Sequence, residues 1–393
     1  MTNNGLMVSQ NGGPTRVVNS SLVGVIEQAQ GNPNIGQILV PLYGVKGTRD
    51  DDCVDVTEIS EERLDVIANT PSAAGGSTRD KPDTEYCKQI FRVVQNRGVK
   101  YFIIIGGNDS ADKARIINDM ANKAGHELRV WHVPKTVDND LLVNDHSFGY
   151  GSCARTVAGL AVGNSLDNMS IPGLKIDVAM GRHAGYITAA SQLFMKEPGY
   201  GGPDVVFVPE GEKFTMEHFL SVITNLYAKN KRVYAVVSEG CATAVKDVLS
   251  GEADAHGNIQ LSGSGAFADY LCEEAKKAID DKDIRARADT WGYMQRSFPF
   301  SVSKVDLLEA RQGGRFAVQN AIDSDSDGTV IVEASRSPVY KFDLRVGELK
   351  EVAKHTRSMP DGMVVNHVIT QAFKDYALPL VGEGPKYDTL LRR

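Results

Sequence analysis

Short apolar runs rich in β-branched residues recur along the chain, separated by stretches with apolar positions three and four apart. The runs at 6–9, 37–42, 101–105, 128–133, 174–180, 205–208, 233–236 and 329–333 read as strands. Amphipathic helices fit 16–29, 83–97, 110–124, 151–166 and 214–229. Strand then helix, repeated, predicts an α/β fold with a mostly parallel sheet. Strands buried on both faces should be continuously apolar, and FIII and VVFV are. The last 45 or so residues add at least one helix, to which the pattern assigns no role.

The polar positions carry more information than the apolar ones. Gly12-Gly13, Gly106 to Ser110, Asp138 to Asp140, Met180 to Arg182, Glu210-Gly211 and Glu239-Gly240 each follow a predicted strand. In open α/β sheets ligands bind at the carboxyl edge. Six glycine or acid clusters there predict a binding site.

Composition narrows the choice of ligand. The chain has 393 residues, enough for two or three domains at roughly 150 residues each. With 43 Lys plus Arg against 50 Asp plus Glu, the net charge is −7. That balance argues against a nucleic-acid binder, which needs a basic face, yet allows a local basic pocket. No apolar stretch of about 18 residues predicts a membrane span, and the first residues show no secretory pattern. Five scattered cysteines without a CxxC pair fit reduced thiols in a cytoplasmic protein. No His/Cys cluster suggests zinc, and DSDSDG at 323–328 lacks the glutamate that a calcium loop needs at its twelfth position.

NGGPT at 11–15 and GGNDS at 106–110 point to phosphate. Paired glycines let a backbone approach a phosphate closely, and a helix starting at Asp109 or Ser110 would add its positive end. Each is also the form of an ordinary tight turn. Neither matches GxxxxGK[ST] or GxGxxG, so P-loop and dinucleotide readings lose ground. PKTVDND at 134–140 is more specific. It sets Lys135, Thr136, Asp138 and Asp140 within six residues at a strand end. Phosphoryl transfer needs a carboxylate to take the acceptor proton, a cation against the transferred charge, and oxygen groups for Mg²⁺.

These residues resemble the phosphofructokinase family. The elements NGG, GSTR (76–79), GGNDS, PKTVDND, MGR (180–182), PEG (209–211), SEG (238–240) and GYMQR (292–296) come in the family order. Asp109 and Lys135 stand where ATP-using members usually carry glycine, as in pyrophosphate-dependent members. A carboxylate at 109 would repel a nucleotide's α-phosphate, and Lys135 would meet the transferring phosphoryl group and the departing phosphate. Tyr293, in place of the His of GHIQR, points the same way.

The resemblance implies residue roles. Asp138 is the general base for the sugar 1-hydroxyl, Thr136 touches the transferring phosphate, and Asp140 supports the base or the metal. Gly12, Gly13, Arg79, Gly107 and Ser110 hold pyrophosphate. Asn108 and Asp109 serve Mg²⁺, Asn108 standing where the family has an aspartate. Thr136, Val137, Asp138, Met180, Gly181, Arg182, Glu239 and Tyr293 line the sugar phosphate, and Arg296 grips its 6-phosphate. Arg287 matches an arginine that reaches that phosphate from a neighbouring subunit, which implies a homodimer or homotetramer. A surface arginine in IRARAD is the alternative. The family's other cross-subunit arginine has no match; Lys175 is a candidate, and absence of the contact is the alternative. Glu210 reads as structural and His132 as core; His183, beside Arg182, reads as a packing or hydrogen-bonded histidine, with an approach to the site as the alternative.

The expected protein has two Rossmann-like α/β lobes with mostly parallel sheets and an active site in the cleft between them. Residues 1–148 plus about 297–345 would form the pyrophosphate and Mg lobe. Residues 149–296 plus about 346–393 would form the sugar-phosphate lobe. The expected reaction is reversible phosphoryl transfer from pyrophosphate to fructose 6-phosphate. Rivals are an ATP-dependent phosphofructokinase, a pyrophosphate-dependent sedoheptulose 7-phosphate kinase, and a non-catalytic regulatory paralogue.

Overall fold

A computed structural model describes residues 4–80, 83–211, 213–245, 265–324, 326–353 and 355–391. Its main strands are β1 (Gly5–Gln10), β2 (Ile38–Pro41), β3 (Cys53–Asp55), β4 (Val99–Gly106), β5 (Arg129–Thr136), β6 (Phe148–Gly149), β7 (Leu174–Ala179), β8 (Val205–Phe207), β9 (Val233–Ser238), β10 (Ala286–Thr290), β11 (Gly328–Ser335) and β12 (Lys341–Gly347). The chain divides into two units, Met1–Ser152 with Arg296–Arg357, and Cys153–Gln295 with Ser358–Arg393.

The first unit holds a sheet in the order β12-β11-β5-β4-β1-β2-β3, with β6 added beside β5. Its centre is parallel, and both edge strands, β3 and β12, run antiparallel to their neighbours. Alternation along the central strands feeds two cores. Leu6, Val8, Tyr101, Ile103 and Ile105 pack with the helices Val18–Ala29 and Lys304–Asp323. Met7, Phe102 and Ile104 pack instead with Thr84–Asn96 and Asn108–Ala124. Side chains that alternate between faces put both sides of these strands out of water, which is why runs such as FIII are apolar.

Two glycines let the helices of the first core approach. A Cβ on Gly24 would overlap the Arg311 carbonyl, and one on Gly314 would overlap that of Ser21. The Gly313-Gly314 pair weakens the helical pattern in the sequence, so this helix escapes prediction. So do the helices Glu61–Asn69 and Ala266–Ala278 and the strands β10 and β12. β12 is an edge strand with mostly exposed or half-buried residues, so it lacks an apolar run. The chain leaves the first unit for the last time after Arg357 rather than near 345, because β12 and the turn Leu349–Val352 complete that unit.

The second unit has a fully parallel sheet, β10-β7-β9-β8, packed against Met216–Asn230 and Ala266–Ala278. The tail lies on the same unit. Arg155 donates to the carbonyls of Val381 and Glu383 at 2.9 and 2.8 Å, and the Tyr387 hydroxyl donates to Phe194 O at 2.6 Å. Among the described residues no helix is long and apolar enough to cross a membrane.

A buried ionic chain ties the first unit together. His146 bonds Asp145 through Nδ1 (2.9 Å) and Glu309 through Nε2 (2.7 Å). Arg336 forks onto Asp145, and the Tyr340 hydroxyl donates to Glu309. Burial opposes charge on His146, but the two carboxylates outweigh it and raise its pKa. The stabilisation from that proton is full below the ordinary value of about 6.5 and fades as pH rises through the raised folded-state value. We predict that His146→Leu, which leaves the buried Glu309 carboxylate without its cation and takes one partner from the half-buried Asp145, costs about 3–5 kcal/mol. Denaturant unfolding at pH 6 checks this, and the cost should shrink at pH 9.

Candidate active site

The site starts where three parallel strands end level. Gln10 pairs with Ile105, and Ile105 with Val133, so the loops after β1, β4 and β5 leave the sheet side by side. Gly12 turns back at φ 76°, the left-handed region that favours glycine. Its N–H donates to Thr78 O (2.9 Å), and its carbonyl accepts from Ser77 Oγ (2.6 Å). The GSTR segment, with Arg79, is thereby fixed on the NGG turn.

Cations converge on that turn. Lys135, next to last in β5, is 3% exposed and donates through Nζ to Gly13 O at 2.6 Å. A Cβ on Gly12 would stand 3.3 Å from Lys135 Nζ. One on Gly13 would stand 3.0 Å from Arg296 Nη1 and 4.0 Å from Arg79 Nη2. Lys113, buried on the helix Asn108–Ala124, donates to Asp80 O at 2.8 Å and adds a fourth positive charge. Burial lowers the Lys135 pKa to about 7; Arg296, Arg79 and Lys113 push it the same way, and Asp138 opposes them. Sequence reasoning missed Lys113, although a lysine one turn into a helix that starts at a glycine-rich loop was a usable signal.

The GGNDS loop supplies the helix start. Gly106 packs so tightly on Ser110 that a Cβ would overlap that side chain. Gly107 caps the helix, Ser110 is buried, and Asp109 is exposed in the first turn. His132 holds the loop from below, bonding Gly106 O and Thr329 Oγ1 at 2.8 Å each. Complete burial lowers its pKa to about 4, so it is a neutral core residue, as its place in the strand implied. After β5 the Asp138 N–H donates to Thr136 Oγ1 (3.2 Å), Val137 is buried, and Asp138 and Asp140 are half-buried.

Among the described residues no group of three or more His, Cys, Asp or Glu could hold a metal. The nearby oxygen donors are the exposed Asp109 carboxylate and the Asn108 amide, whose oxygen accepts the Asp109 N–H at 2.8 Å. One carboxylate and one neutral oxygen do not make a cage. They do fit Mg²⁺ that keeps most of its waters and shares the oxygens of a bound phosphate.

In the second unit a similar set of loops follows β7, β8 and β9. Met180 N–H donates to Gln295 Oε1 (3.1 Å), a buried residue that sequence reasoning also missed. Gly181 adopts φ 121°, and its carbonyl accepts from Ser238 Oγ at 2.6 Å. Glu239 is buried, Arg182 half-buried and Tyr293 exposed. Glu210 accepts from the backbone N–H groups of Gly185 (2.9 Å) and Met359 (2.8 Å), the structural role expected of it. His183 is exposed, not packed.

Lys175, Arg287 and Arg296 each have partners or close neighbours within this chain. Lys175 is nearly buried and spent on ion pairs with Asp177 and Asp289, so it is not available as the missing cross-subunit cation. Arg287 occupies the second position of β10, at the opposite end from the loop that carries Tyr293. Its guanidinium donates to Asp167, Asn168 and Ile171 O. Arg296, expected at the sugar 6-phosphate, has its guanidinium close to Gly13.

Glycine turns, a helix start and four cations at the edge of a parallel sheet define a protein that handles phosphate. The sequence model of the phosphofructokinase family matches residues 5–321, and the chain belongs to that family. A pyrophosphate--fructose 6-phosphate 1-phosphotransferase of Rhodospirillum rubrum is 43% identical over 387 residues, which are 96% of this chain and 94% of that one. The crystal structure of a pyrophosphate-dependent phosphofructokinase from Marinobacter aquaeolei superposes with a TM-score of 0.83 at 28% identity, covering 99% of this chain and 95% of its own. One from Nitrosospira multiformis gives 0.83 at 29%, covering 100% and 95%.

The lowered Lys135 pKa has a kinetic sign. The ammonium is charged below about pH 7 and neutral above it in the free protein. We predict that kcat/KM for a phosphate-bearing donor falls as pH rises through about 7. Lys135→Arg, whose guanidinium stays charged, should move that limb up by more than one pH unit. A pH profile that is the same in both proteins would contradict the assignment.

Proposed function

We propose that this chain transfers a phosphoryl group from pyrophosphate to the 1-hydroxyl of fructose 6-phosphate, reversibly and with Mg²⁺, giving fructose 1,6-bisphosphate and phosphate. The observation that carries the reading is the convergence of Lys135, Arg79 and Arg296 on Gly12-Gly13, with Lys113 behind them. So many positive charges in one small volume suit a compact, highly charged donor without a nucleoside.

The roles follow from the atoms available. Asp138 removes the proton of the 1-hydroxyl, and the freed oxygen attacks the near phosphorus. The bridging P–O bond breaks, and its electrons leave with phosphate. Lys135 stands against that departing charge, and a preorganised cation out of water is worth far more there than in solution. Thr136 orients the transferring group. Asp140 supports the base, while Gly12, Gly13, Gly107, Ser110 and Arg79 hold the donor. Asp109 and Asn108 would hold Mg²⁺, which would neutralise donor oxygens. Met180, Gly181, Arg182, Glu239 and Tyr293 take the sugar phosphate. Arg296, drawn to Gly13 here, is shared between donor and acceptor. The same reading makes the protein a cytoplasmic homodimer or homotetramer in which Arg287 serves a neighbouring subunit.

Initial rates with pyrophosphate and ATP at equal concentration, in an aldolase-coupled assay, test this. The pyrophosphate rate should be far the higher, and activity with ATP alone would overturn the donor assignment. Asp138→Asn should lower kcat by about 10²–10⁴ with little change in sugar-phosphate affinity. Asp109→Gly should weaken use of pyrophosphate. Rates on sedoheptulose 7-phosphate under the same conditions separate the two ketose phosphates.

A further inference from the structure

The DND loop is held from outside. Two of its residues, Asn139 and Val143, have φ of 59°, and for a β-branched valine that conformation is strained. Such backbone persists only where its surroundings fix it. One side is fixed by β11, since Val332 N–H donates to Asn144 Oδ1 (2.9 Å) and Asp145 N–H to Val332 O (2.8 Å).

The other side is fixed by Arg357, far along the chain and outside the span 5–321 that the family model matches. Its backbone N–H donates to Asp140 O at 2.8 Å. Its Nε donates to Asn139 O at 2.9 Å, Nη1 to Asn144 O, and Nη2 to Asp145 O at 2.7 Å. A single arginine therefore satisfies four carbonyls across the turn that follows Asp138. Its neighbours extend the contact, as Thr356 bridges Leu141 and His355 O accepts from Asn108 Nδ2 at 3.4 Å. The segment His355–Arg357 touches both the loop that carries the base and the loop that carries Asn108 and Asp109.

We propose that Arg357 is a positioning residue for phosphoryl transfer: its guanidinium fixes the strained loop 138–145, and through it the aim of the Asp138 carboxylate. The inference deepens the reading of Asp138 as general base and rests on it. Its three guanidinium nitrogens each reach a different carbonyl, a spread that the single ammonium nitrogen of lysine does not reproduce. Misplacing a catalytic group by about 1 Å can cost on the order of 10²-fold in rate.

The test pairs kinetics with hydrogen exchange on the full-length protein. Arg357→Gln should lower kcat by about 10- to 100-fold while both KM values stay within about threefold. Amide exchange should quicken in 138–147 and not in the β1 and β4 peptides of the same unit. Arg357→Lys, which keeps the charge without the fork, should recover only part of kcat and leave the exchange fast. An unchanged kcat in either variant would overturn the proposal. So would a slower enzyme whose exchange is normal at 138–147 or is quickened equally throughout the first unit. If wild-type protein used ATP alone, the donor assignment would fail, while the exchange data would still report on the clamp.

Discussion

An ammonium group held out of water among other cations is the constraint from which the first unit is best understood. Lys135 spends one of its protons on Gly13 O, yet Arg296, Arg79 and Lys113 all act to strip its charge. Packing hydrophobic side chains there would be cheaper, because buried like charges repel and lose their hydration. The arrangement makes sense when an anion is part of it. A phosphate bound there would offset the lost hydration with charge-assisted hydrogen bonds and screen the cations from one another.

The scaffold that holds those charges is almost entirely backbone. Gly12 exchanges hydrogen bonds with Ser77 and Thr78, Gly106 rests on His132, and Gly107 opens a helix of 17 residues. Strand ends level in register place these turns with little freedom. Side chains then need to supply charge and proton transfer only, which is the division of labour usual at the carboxyl edge of a parallel sheet. The second unit repeats the device with Gly181, Ser238 and Gly240.

The sequence made the strands legible because both faces of each central strand are buried, leaving unbroken runs such as FIII. The clusters at their ends were legible because glycine and acid pairs interrupt such runs abruptly. What escaped was set by contacts distant in sequence. The Gly313-Gly314 helix reads poorly because its glycines answer to Ser21 and Phe148, not to its own turns. Lys175 looked like a spare cation until Asp177 and Asp289 claimed it. Arg357 carries no local signal at all, because its partners are carbonyls more than 200 positions upstream.

The first unit is interrupted in the chain by the second, and this has a consequence in time. β5 leaves the ribosome long before β11, the strand that must lie beside it, and longer still before Arg357. At about 5–20 residues per second, the nascent sheet waits roughly ten seconds or more with one flank open while residues 153–295 emerge and fold. An unpaired parallel strand of this apolarity invites association with other chains. The inserted unit in turn waits for its own tail, Ser358–Arg393, which emerges only after Arg357 has closed the first. Translation speed across 153–295, and chaperone cover for an open β5, should therefore govern yield more than the final stability of either unit.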